Sequence, residues 1–103
     1  MTLEEFIIEF KKSKELFDWK IMNGLIRAVE HQSGLTCCPL TGVCFFLTKI
    51  LINKMDFRKA AAKIGLPLNI ANLIVGAADF DNNNKQCQEV RKQLCAAVGL
   101  TKE

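Results

Sequence analysis

The chain has little of what marks the common catalytic classes. Its single histidine, His31, sits in a polar stretch with no serine, aspartate or cysteine pattern to complete a triad. Neither G-x-G-x-x-G nor a phosphate loop occurs, so nucleotide-dependent chemistry has no support. The five cysteines contain no C-x-x-C pair, which removes the common redox motif and the usual paired zinc ligands. Acidic residues are sparse, and Glu4, Glu5, Asp56 and Asp79 read as caps or helix-start charges. No catalytic residue and no cofactor are expected.

Long apolar runs are missing too. Leu35 to Thr48 is uncharged, but Lys49 ends it short of the roughly 18 residues that suggest a membrane span. Ile64 to Ala78 is interrupted by Pro67 and Asn69. Both read as helices buried in a soluble core, with no membrane partner. The opening MTLEEFIIEF carries three glutamates and no basic n-region, unlike a secretory signal. With an odd number of cysteines, the expected compartment is a reducing cytoplasm. Cys87 and Cys95 are eight residues apart on one predicted helix. That is about 12 Å along the axis, beyond disulfide reach. Cys38 and Cys44 fail in the same way if both are helical.

What is present is a core. Half of the 103 residues are hydrophobic and 24% are charged, ordinary globular usage for one domain over 1–103 that needs neither disulfide nor metal to fold. The net charge of +3 is too small to imply nucleic acid. Between residues 31 and 78, however, Lys49, Lys54, Arg58, Lys59 and Lys63 face only Asp56, a mildly basic belt.

Periodicity predicts a mainly α bundle of about five helices with a short β-hairpin at 17–29. Thr2 and Glu5 make a capping-box pattern before the stripe Leu3, Phe6, Ile7, Phe10 and Phe17. Phe17, Trp19 and Ile21 then alternate with polar residues, Asn23-Gly24 suits a type I′ turn, and Ile26 and Ala28 return on the matching face. A helix through the same span would carry Asn and Gly in its interior at a cost of about 1 kcal/mol or more, so the hairpin is preferred. After a polar loop from His31 to Thr36, Pro39 opens a central helix with Leu40, Val43, Cys44, Leu47, Ile50 and Leu51 inward. Two short helices follow around Gly65, the first capped by Asp56. A polar loop over 79–84 leads to a last helix over 85–98, with Val90, Leu94, Ala97 and Val98 inward and Gly99-Leu100 as its stop.

Phe57 to Gly76 resembles the DNA-binding helix-turn-helix motif. Ala61 precedes Gly65 by four, Leu66 follows it, and Ile64, Ala71 and Ile74 take the buried positions. The resemblance implies phosphate contacts from Arg58, Lys59 and Lys63 and base contacts from Asn69 and Asn72. Ordinary helix packing accounts for the same pattern.

Two further clusters invite chemistry. Cys37, Cys38 and Cys44 with His31 nearby could form a metal or reactive-thiol site, and a thiol at a helix start is a candidate nucleophile; small buried cysteines are the commoner outcome. Asp79, Asp81 and Asn83 fall at the first, third and fifth positions of a calcium loop, but Asn84 replaces its glycine and Val90 its bidentate glutamate. The leading expectation is a small non-enzymatic protein-interaction or assembly module. Its central helix, apolar almost all round, suggests a homodimer. Nucleic-acid binding is the alternative.

Overall fold

The computed structural model describes residues 1–30, 36–52, 56–79 and 84–100. Thr2 caps the first helix, α1 (Leu3–Lys12), by the reciprocal bonds its spacing to Glu5 predicts. The Glu5 amide donates to Thr2 Oγ1 at 3.1 Å, and the Thr2 amide donates to Glu5 Oε1 at 2.8 Å. The Thr2 amide first, and then the Thr2 side chain, hold the Glu5 carboxyl below its ordinary pKa. A carboxylate of this kind stabilises the fold above its unfolded pKa, and the contribution is lost as pH falls through the lowered folded value. Phe6 and Phe10 fill the buried face of α1.

Phe17 does not continue that stripe. The helix stops at Lys12, a 3-10 turn spans Ser13–Glu15, and Phe17 opens the first strand. Ser13 Oγ donates to the Phe10 carbonyl at 2.6 Å, the kind of local side-chain bond that competes with a helical ladder.

The alternating segment is the hairpin that its pattern predicts. Strands β1 (Phe17–Met22) and β2 (Leu25–Glu30) pair antiparallel, with Trp19 opposite Ala28 and Ile21 opposite Ile26. Asn23 at φ 53 and Gly24 at φ 80 supply the two positive angles of a type I′ turn. Phe17, Trp19, Ile26 and Ala28 are buried. A third strand, β3 (Thr36–Cys37), pairs with β2 through Ala28 and Val29. Thr36 therefore belongs to the sheet and not to a polar loop; two residues are too few for an alternation to show.

The central helix α2 (Pro39–Thr48) is shorter than its apolar run. Its first six residues, Pro39 to Cys44, are all buried. Thr48 Oγ1 donates to the Cys44 carbonyl at 2.7 Å and accepts from the Ile50 amide at 3.1 Å. Lys49 then turns left-handed at φ 63. Leu47 in the last turn of α2 and Ile50 and Leu51 just past this exit lie at the surface, against the expectation that they point inward.

The corner after α3 (Phe57–Lys63) is a Schellman stop: the Leu66 amide donates to the Ala61 carbonyl at 2.9 Å and the Gly65 amide to Ala62 at 3.2 Å, with Gly65 at φ 69. Asp56 stands at the predicted cap position but makes no capping bond; its φ of −106 and ψ of 39 lie outside the extended conformation that a capping side chain needs. Helix α4 (Leu68–Ala78) follows Pro67. Asn84 caps α5 (Lys85–Val98), accepting from Gln86 and Cys87 amides at 2.9 and 3.1 Å. Gly99-Leu100 repeats the Schellman stop, the Leu100 amide reaching the Cys95 carbonyl at 2.8 Å.

Among the described residues, five α-helices and a three-stranded sheet share one core: α5 packs on α4 and α1, while α2 contacts α1, α3, α4 and β2. Arg91 joins three parts of it. Its guanidinium donates to the Ala77 carbonyl at the end of α4 at 2.9 Å and to the Gly24 carbonyl in the hairpin turn at 2.7 Å.

Trp19 meets α2 at Gly42, where a methyl group would lie 2.8 Å from Trp19 Cη2 and 3.2 Å from Cys37 Sγ. Gly42→Ala gains about 1 kcal/mol of helix propensity but overpacks a ring with no room to move, at about 1–3 kcal/mol. The expected result is a net loss of stability in urea unfolding, against the usual trend for glycine to alanine in a helix. In Glu5→Gln the difference in Tm between acidic and neutral buffer should shrink, because the group whose titration contributes to it is gone.

Candidate functional site

The three cysteines of the cluster each pack against a different neighbour. Cys37 sits in β3 with its sulfur against Gly42, Cys38 precedes α2 with Sγ 3.2 Å from Thr41 Oγ1, and Cys44 Sγ lies 3.8 Å from Thr48 Oγ1. Each of these thiols is buried and close to a neighbour on its own or the adjoining element. Among the described residues no three His, Cys, Asp or Glu side chains converge as metal ligands. His31 lies outside the described residues, as do Lys54, Asp81 and Asn83.

Asp79 is reassigned by the fold. It ends α4 instead of starting a helix, and its carboxylate accepts from Arg27 Nη2 at 2.7 Å. This pair stands at a cleft of about 370 Å³ between β2, the start of α2, α3 and α4. Cys38, Phe57, Val75 and Ala78 contribute to the cleft walls. The Arg27 guanidinium is already bonded to Asp79 and to the Ile26 carbonyl at 2.8 Å, and the Cys38 thiol shares the wall with this pair. Among the described residues the arrangement is an ion pair over a largely apolar floor.

Two surfaces carry the remaining candidates. On the α3–α4 corner, Ala60, Ala61, Leu66, Ala71 and Ile74 are buried while Arg58, Lys59, Lys63, Asn69 and Asn72 are all exposed. Ile64 is only half-buried. The Met1 amino group donates to the Gly65 carbonyl at 2.6 Å, tying the start of α1 to this corner. Leu68, in the first turn of α4 at a position that would meet base edges in the helix-turn-helix reading, is 46% exposed.

The second surface is the end of α2. Leu47, Ile50 and Leu51 are 40%, 46% and 51% exposed, and Phe46 beside them is half-buried. Lys49 arches over the Phe46 ring, its Nζ 5.6 Å from the centroid. Three large aliphatic side chains within five residues form an exposed cluster, unlike the scattered single leucines that any surface carries. Arg27 and Arg91, which sequence reasoning passed over, act within the fold; only their distant partners reveal them.

Comparison with family models, curated proteins and solved structures finds no match for this chain.

Of the described thiols, Cys95 alone is partly exposed. Native protein treated with a small alkylating reagent should label Cys95 first and leave Cys37, Cys38, Cys44 and Cys87 intact until denaturant is added. Fast labelling of Cys38 would revive the reactive-thiol reading.

Proposed function

We propose that this chain is a small non-enzymatic interaction module that pairs with a second copy of itself through the end of α2. The observation that carries the reading is the emergence of Leu47, Ile50 and Leu51 where α2 leaves the core. A helix whose first six residues are all buried and whose last turn carries Phe45, Phe46 and an exposed Leu47, followed by exposed Ile50 and Leu51, has a surface suited to another apolar face. Such a module suits a reducing cytoplasm, where buried thiols stay reduced, and no helix among the described residues is long and apolar enough to cross a membrane.

Magnitudes set the strength. Covering the exposed halves of three aliphatic side chains returns roughly 1 kcal/mol each, less than the about 4–15 kcal/mol that association costs. The interface must therefore extend over neighbouring residues such as Phe46, and a dimer held this way dissociates in the micromolar range or above.

Sedimentation equilibrium from low to high micromolar protein should show a concentration-dependent dimer. Leu51→Glu, placed on a half-exposed site, should shift it to monomer at least tenfold while leaving Tm nearly unchanged. A monomer throughout that range, with wild type and variant indistinguishable, overturns the reading.

A further inference from the structure

We propose that the α3–α4 corner is a separate docking face for duplex DNA, with α4 entering an A·T-bearing major groove. The argument is independent of self-association and begins with burial. In the helix-turn-helix arrangement the first helix crosses the phosphate backbone, and the N-terminal residues of the second contact base edges. The residues that hold two such helices together are the inward ones, Ala61, Leu66, Ala71 and Ile74. Of the residues that would face the duplex, Pro67, Leu68, Asn69 and Asn72 are exposed and Leu73 is half-buried. The glycine corner that sets the relation of the two helices is present with both of its hydrogen bonds.

Charge agrees with burial. From Phe57 to Ala78 the chain contains Arg58, Lys59 and Lys63 and no acidic residue. All three cations are exposed, and none forms an ion pair among the described residues. Lys59 and Lys63, one turn apart, share a face of α3.

Side-chain chemistry then selects the bases. Asparagine pairs with adenine through N6 and N7, and an aliphatic group packs on the thymine methyl, so Asn69, Asn72 and Leu68 together favour A·T pairs. Guanine is usually read by arginine or lysine, and α4 has neither. The exposure of Leu68, costly in water, is explained by that contact. B-form DNA is the fitting partner because its major groove of about 12 Å admits a helix, whereas the deep, narrow groove of duplex RNA does not.

The full chain is titrated by fluorescence anisotropy into labelled 20-base-pair duplexes, one A·T-rich and one G·C-rich, from low to physiological salt. Binding should weaken with salt at a log–log slope of about −3, the value for three phosphate contacts. Lys59→Ala or Lys63→Ala should weaken both duplexes alike and reduce the slope by about one. Asn69→Ala with Asn72→Ala should keep the slope and lower the preference for the A·T duplex by at least about fivefold. Circular dichroism confirms that each surface variant is folded. No binding at low salt overturns the proposal, as does binding that ignores both sets of variants, or equal or tighter binding to duplex RNA of the same length.

Discussion

The fold turns on the seating of Trp19 against Gly42. Its ring lies 4.6 Å from the Phe10 centroid and 5.5 Å from that of Phe17, and its Nε1–H donates to Ser13 Oγ at 2.9 Å. One side chain thereby joins α1, the 3-10 turn, the sheet and α2. The indole would be costly to bury without a partner for its N–H, and Ser13 supplies that partner from a side chain that is itself fully buried. Because a glycine faces the ring, the sheet approaches α2 more closely than a side chain would permit.

The first six residues of α2 are all buried, packed among α1, α3, α4 and β2, whereas its last turn is only partly covered. Thr48 then takes the chain out of the helix, and the apolar sequence continues into solvent at Ile50 and Leu51. The corner at Gly65 has a different character: most of its apolar positions are consumed by packing on α2 and α5, and what remains outside is mostly cationic and amide-bearing apart from Pro67 and Leu68. One small domain thus presents a greasy face and a basic one, each with a different kind of partner in prospect. The apolar cleft at Arg27 and Asp79 lies apart from both in its chemistry, with its charges already neutralised against each other.

Much of the architecture was legible because local chemistry decided it. The Thr2–Glu5 box, the Asn23-Gly24 turn, the two glycine-leucine stops and the bounds of α5 all rest on residues within six positions of one another. Where local signals competed, reading failed. Asp56 has a capping side chain but not the backbone angles to use it, and Asp79 looked like a helix-start charge until Arg27, 52 residues away, claimed it. Phe17 fitted both the helical stripe and the strand alternation, and the Ser13 hydroxyl settled the matter by ending α1.

From its order of residues alone, the chain was bound to be a mainly helical domain with a hairpin, because caps, turns and apolar spacing act over a few residues and depend little on context. The exposed arginine, lysines and asparagines of the corner were also recognisable there, since polar chemistry seldom goes unanswered into a core. Three-dimensional packing decided which apolar side chains would be left over. Hydrophobicity says that a leucine gains by burial but not whether a neighbour stands close enough to bury it, and the packing of the other elements leaves Leu47, Ile50 and Leu51 in water.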